Sequence, residues 1–179
     1  MEKDTQGYPK VFLQTGDCYL AVQPTLVNTV LGSCLAVTMH SPKHGIGAIC
    51  HAFLPDSSDN KRPGVSTIQP CRFVDTALET MLDSMKKLKI PKSDLVVKMF
   101  GGASGIAVRG MEYSSYDIGR RNVEMARKLL KFAGLDISVT DVGGNQGRKL
   151  LFLSNTGEVW LKRLTKNTFD KESMLTGRR

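Results

Sequence analysis

The stretch from Leu35 to Phe53, LAVTMHSPKHGIGAICHAF, decides the fold. Two runs rich in apolar and β-branched residues, Leu35 to Met39 and Ile46 to Phe53, flank Ser41-Pro42-Lys43-His44-Gly45, a cluster of turn formers. Side chains alternate across a strand. Folding the two runs into a hairpin therefore gathers Leu35, Val37, Met39, Ile46, Ala48 and Cys50 on one apolar face. The register that stacks them pairs Met39 with Ile46, Val37 with Ala48 and Leu35 with Cys50. A uniform buried face is what ordinarily selects a register. The other face pairs Thr38 with Gly47 and Ala36 with Ile49. One step further it sets Cys34 across from His51, with Cβ atoms about 4.5–5.5 Å apart.

More strands lie on either side. Val11 to Leu13, Tyr19 to Val22 and Leu26 to Leu31 precede the hairpin, broken by Gly16-Asp17 and Gln23-Pro24. After a polar loop from Asp56 to Gly64 the period changes. Phe73, Val74, Ala77, Leu78, Met81, Leu82, Met85 and Leu88 recur at helical steps, which predicts an amphipathic helix over 73–88. Leu95 to Phe100 reads as a strand. A second helix is expected from Ile118 to Phe132, with Asp117 as N-cap and Gly134 as C-terminal cap. Strands around Leu135 to Val139, Leu150 to Leu153 and Glu158 to Leu164 follow. The expected class is α+β, a mixed β-sheet sandwich core with flanking helices. One domain over 1–179 is expected, with its core over residues 10–164 and a mobile basic tail over 165–179.

Composition narrows the function. The chain has 179 residues, 41% hydrophobic and 23% charged, with a formal net charge of +8. Those fractions exclude wholesale disorder. No run resembles a membrane span of about 20 apolar residues, and Met1 to Lys10 lacks the apolar segment of a signal peptide. The expected setting is the reducing cytoplasm, with all four cysteines as free thiols. The basic charge accompanies no zinc-finger spacing, helix-turn-helix signature or basic–aromatic ladder, so nucleic acid is not the expected partner. Cys34, Cys50 and His51 would not converge and no Cys-x-x-Cys occurs, so no metal is expected. Cys18 and Cys71 read as structural, Cys50 as a small core residue, and His40 and His44 as exposed turn histidines.

Cys34 stands apart. Gly32-Ser33 before it lets backbone approach a substrate closely. N–H groups there can hold an oxyanion, and an imidazole across the hairpin can share the thiol proton.

At these residues the sequence resembles the CheD family of chemoreceptor glutamine deamidases. The resemblance runs through Thr29-Val30-Leu31-Gly32-Ser33-Cys34-Leu35-Ala36-Val37 and Gly47-Ala48-Ile49-Cys50-His51-Ala52-Phe53-Leu54-Pro55. It continues through Phe100-Gly101-Gly102-Ala103, Ile118-Gly119-Arg120-Arg121-Asn122-Val123, Asp141 to Lys149 and Thr156-Gly157-Glu158-Val159, covering Gly16 to Lys162. It implies a cysteine-hydrolase fold like that of deamidating bacterial toxins. It also implies a Cys–His–Thr triad, with Cys34 as nucleophile, His51 as general base and Thr29 orienting the imidazole. Asn28, one residue earlier, is the alternative for that last role. The resemblance implies no cofactor. The implied partners are chemoreceptor cytoplasmic domains as substrate and a CheC-like phosphatase. The alternative function is a non-catalytic binding module that regulates such a phosphatase. The +8 charge reads as steering toward acidic receptor bundles.

Overall fold

The computed structural model describes residues 7–60, 69–104, 115–165, 168 and 171. Strands β1 (Lys10–Phe12), β2 (Cys18–Ala21), β3 (Leu26–Leu31), β4 (Leu35–Ser41) and β5 (Ile46–Ala52) precede helix α1 (Val74–Lys87). Strand β6 (Val96–Gly101), helix α2 (Ser115–Phe132) and strands β7 (Ile137–Val142), β8 (Gly147–Leu153) and β9 (Glu158–Leu164) follow. They form two mixed sheets, one in the order β1-β3-β8-β9 and one in the order β2-β5-β4-β6-β7. The architecture is α+β in three layers, sheet on sheet with the helices outside, as the apolar patterns require.

Each interface has its own core. Val27 and Leu31 of β3, Leu150 and Phe152 of β8, and Ala36, Ile49 and Phe100 of the larger sheet fill the space between the sheets. Leu35, Val37, Met39, Ala48, Cys50 and Ala52 face the other way, against Val74, Ala77, Leu78, Met81 and Met85 of α1 and Ala126 and Leu130 of α2. Burying one such large side chain contributes about 1.5–3 kcal/mol, so this stripe is what docks α1.

The helix ends follow local chemistry. After α2, Gly134 adopts φ +72°. Its N–H reaches the Lys131 carbonyl and that of Leu135 reaches Leu130, a Schellman closure. After α1 the same closure uses Lys89 at φ +59°, with Ile90 N–H on the Met85 carbonyl. Asp117 lies inside α2 rather than capping it, because the helix already runs from Ser115. The 61–68 part of the polar loop and, apart from 165, 168 and 171, the 165–179 tail lie outside the described residues.

The hairpin differs from expectation by two residues. Leu35 lies opposite Ala52, Val37 opposite Cys50 and Met39 opposite Ala48, and Ala36 rather than Cys34 faces His51. Both registers leave every side chain on the same face, so alternation does not separate them. The turn does. Strand β4 runs on through His40 and Ser41, and the Ser41 carbonyl takes the N–H groups of both His44 and Gly45. The Ser41 hydroxyl also meets His44 Nδ1 at 2.8 Å. His40 is consequently buried, not exposed; its Nε2 bonds the Asn155 carbonyl at 3.0 Å. His44 is exposed as expected.

The expectation of four free thiols also fails. Cys18 and Cys71 form a disulfide, with Cα atoms 5.7 Å apart. Their separation of 53 residues carries no signal of contact. The turn before α1 is carried back to β2 by pairings around Phe53 and Leu54, whose N–H groups both reach the Arg72 carbonyl. Cys34 and Cys50 remain free.

Candidate active site

His51 sits near the end of β5 on the face turned to the other sheet, 3% exposed. Its ring is held from both sides. Nδ1 lies 2.8 Å from Thr29 Oγ1, on β3 of the facing sheet. The Thr29 hydroxyl gives its one proton to the Leu13 carbonyl at 2.9 Å. Its oxygen is left to accept, so the bonding pattern assigns the imidazole proton to Nδ1 and the free lone pair to Nε2. Nε2 in turn meets Thr15 Oγ1 at 3.3 Å. The Thr15-Gly16-Asp17 turn grips the same residue by its backbone, Gly16 N–H on the His51 carbonyl and His51 N–H on that of Asp17.

Thr29 is therefore the residue brought to the imidazole. The Asn28 side chain points elsewhere, its Nδ2 donating to the Val11 carbonyl. The two alternate across β3, and only one of two neighbours can face the second sheet. Thr15 escapes sequence reasoning. Its only mark is its position before Gly16, and what makes it relevant is the fold of the turn over β5.

Cys34 lies just before β4, half-buried against the inter-sheet cluster that contains Leu31, Ile49 and Phe100. It shares this side of the sheet with His51, diagonally rather than directly opposite. Among the described residues no hydrogen bond joins its sulfur to the imidazole, so nucleophile and base are placed on one face without a formed contact. Active-site hydrogen bonds often tighten only when substrate is bound. Cys50 points into the helix-facing core, away from both.

Burial dictates the charge states. Desolvation lowers the His51 pKa to about 4, against an opposing pull from the Leu13 carbonyl. It raises the Cys34 thiol to about 12, with the residue's own backbone N–H pulling the other way. Near neutral pH the pair is thus a thiol and a neutral imidazole, not a preformed ion pair. A base with an unprotonated Nε2, released from Thr15 Oγ1, can take the thiol proton as attack proceeds. A cavity of about 690 Å³ between α1 and α2, lined by Leu78, Leu82, Met85 and Leu129, lies in the helix layer rather than on this face.

The segment around Cys34 is pinned by its neighbours. Ala103 N–H bonds the Gly32 carbonyl at 2.9 Å and Gly102 N–H that of Cys34 at 2.8 Å. Gly101, at φ +107°, lies so close that a Cβ there would collide with the Cys34 carbonyl.

The profile of the family described as CheD chemotactic sensory transduction matches residues 53–163. A protein of Maridesulfovibrio salexigens, called a probable chemoreceptor glutamine deamidase CheD, is 48% identical over 170 residues, 94% of this chain and 100% of its own. The chain belongs to the CheD family. The chemoreceptor glutamine deamidase CheD of Thermotoga maritima is 34% identical over 156 residues, covering 87% of this chain and 92% of its own. The CheD profile match begins just after His51, so it rests on the helices and the C-terminal strands; the 48% relative spans Cys34 and His51 as well.

Proposed function

We propose that this chain hydrolyses side-chain amides of glutamines on chemoreceptor cytoplasmic domains, with Cys34 as nucleophile, His51 as general base and Thr29 as the residue that orients the imidazole. The observation that carries the reading is the buried chain from the Leu13 carbonyl through Thr29 Oγ1 to His51 Nδ1. It leaves Nε2 unprotonated, on the face that holds Cys34. Thr15 Oγ1, 3.3 Å from Nε2, donates to that lone pair in the absence of a thiol proton.

The reaction follows from cysteine chemistry. As Cys34 Sγ attacks the carboxamide carbon, the thiol proton passes to His51 Nε2. The C–S bond forms and the carbonyl oxygen takes the electron pair. His51 returns the proton to the amide nitrogen, the C–N bond breaks, and ammonia leaves a thioester. Water, deprotonated by His51, attacks the thioester carbon. The C–S bond breaks, glutamate is released and the thiol is regenerated.

The family resemblance supports two further parts of this reading. One is a kinship of the sandwich to deamidating bacterial toxins. The other is a CheC-like phosphatase as a second, cytoplasmic partner. Among the described residues, no helix is long and apolar enough to cross a membrane.

The test is incubation of a receptor cytoplasmic fragment with the wild type or with Cys34→Ala, followed by peptide mass mapping. Replacing an amide NH2 by OH adds about one mass unit per modified glutamine and leaves the backbone intact. The wild type should add it and Cys34→Ala should not. Deamidation by Cys34→Ala would overturn the reading.

A further inference from the structure

Helix α2 delivers one polar side chain to the nucleophile segment. Asn122 is fully buried. Its Nδ2 donates two hydrogen bonds of 3.1 Å, one to the Ser33 carbonyl and one to the Phe53 carbonyl. The amide orientation is unambiguous, since both contacts are carbonyl oxygens and only the NH2 end can donate. Its Oδ1 has no hydrogen-bond partner among the described residues. Asn122 thus acts here through its donors alone, and it ties the residue before Cys34 to the end of the strand that carries His51.

The approach is built into the backbone. A Cβ on Gly119 would sit 2.6 Å from the Ala103 carbonyl and 2.7 Å from that of Gly102. The first turns of α2 therefore touch the very segment that pins Cys34, and Asn122, one turn further on, reaches Ser33. Three consecutive carbonyls, of Gly32, Ser33 and Cys34, are each bound, and only the middle one is bound by a side chain.

The middle bond has a chemical consequence. In a trans peptide the C=O and the following N–H point to opposite sides. Anchoring the Ser33 carbonyl toward α2 turns the Cys34 N–H to the opposite side, where the Cys34 side chain packs against the inter-sheet cluster. This is where the oxygen of an attacked carboxamide would gather charge.

We infer that Asn122 is a positioning residue for the reaction: by holding the Ser33 carbonyl it aims the Cys34 N–H as the oxyanion donor, and by holding the Phe53 carbonyl it keeps the nucleophile and base strands in step. The inference rests on the proposed role of Cys34. Removing an oxyanion donor outright slows acyl-transfer enzymes by about 10²–10³-fold; loosening its aim should cost less.

The test uses Asn122→Ala and Asn122→Ser, the second of which keeps one donor. For each, kcat and KM for the receptor fragment are measured beside the rate at which iodoacetamide alkylates Cys34, mapped by peptide mass. Alkylation needs the thiol but forms no oxyanion. The expected result is a fall in kcat of roughly 10–10²-fold, larger for Ala than for Ser, with KM and the alkylation rate near wild type. A parallel fall of alkylation and kcat would mean that Asn122 merely holds the thiol in place and would overturn the inference. So would an unchanged kcat, or failure of both variants to fold, which would make the contact a structural tie. If Cys34→Ala is inactive while the Asn122 variants behave as wild type, this inference alone fails. If Cys34→Ala deamidates, the functional reading fails first.

Discussion

Strands β4 and β5 present two faces, and the residues Cys50 and His51 sit on one each. Both are almost fully buried, 1% and 3% exposed. Toward the helices the face is apolar from Leu35 to Met39 and from Ile46 to Ala52, and the Cys50 thiol, raised to about 11 by desolvation, has no task there beyond filling space. Toward the second sheet the face carries Thr38, His40 and His51 among its aliphatic residues. His40 and His51 each keep hydrogen-bond partners. Unpaired burial of a polar group costs several kcal/mol, and His51 and His40 avoid it through Thr29 and the Asn155 carbonyl. Depth of burial does not distinguish the two faces. The partners do, and they mark where chemistry can occur.

The contrast can be broken most directly at the adjacent pair. His51→Ala should lower kcat for deamidation by on the order of 10²–10⁴-fold while the protein still folds. Cys50→Ala should leave kcat near wild type and cost about 1 kcal/mol in a urea titration. Equal activity losses would erase the distinction between the faces.

Thr29→Val keeps the side chain's volume and removes the acceptor on His51 Nδ1. A buried donor left unpaired costs about 1–3 kcal/mol. If that penalty falls on the reactive tautomer, kcat should drop by roughly 10–10²-fold. The same assay on Asn28→Ala, whose side chain is turned to Val11, should show little change.

The acid limb sharpens the picture further. The His51 pKa lies near 4 in the fold, below its ordinary value of 6.5. The unfolded chain therefore binds more protons between those values. The stability that comes from keeping this imidazole neutral is present above pH 6.5 and is lost as pH falls toward about 4. The loss should be on the order of 3 kcal/mol, read from urea midpoints against pH, and His51→Ala should flatten that dependence.

The smallest effect belongs to the helix side. Lys89 closes α1 in the left-handed region, where a side chain costs roughly 1 kcal/mol or more. Lys89→Gly should raise stability by about 1 kcal/mol with kcat unchanged.

Much of the helix side was legible because its signals are local. The stripe from Phe73 to Leu88 predicts α1 to within a residue at each end, and Gly134 caps α2 as its place suggests. The inter-sheet side was legible only in part. Cys34, His51 and Thr29 do fall on or beside strands whose faces meet there, but the sequence pointed to a direct Cys34–His51 pair that the fold does not form. His40 and Ser41 read as turn residues because polarity usually marks a turn. They continue the strand because Asn155 and His44 supply their bonds.

The sequence by itself determined which side chains share a face, where the helices run and which residue types could do thiol chemistry, since each of these depends on near neighbours. Only the tertiary structure decided the two-residue register, the Cys18–Cys71 bond, the Thr15 and Thr29 contacts to the imidazole and the reach of Asn122 to Ser33. A slip of two residues preserves every face, so no hydrophobic pattern can tell the registers apart. The choice falls to contacts from elsewhere in the fold. The Ser41 carbonyl closes the turn, and Gly47 passes so near Ser154 and Phe152 that a Cβ would lie 2.5 Å from the Ser154 carbonyl.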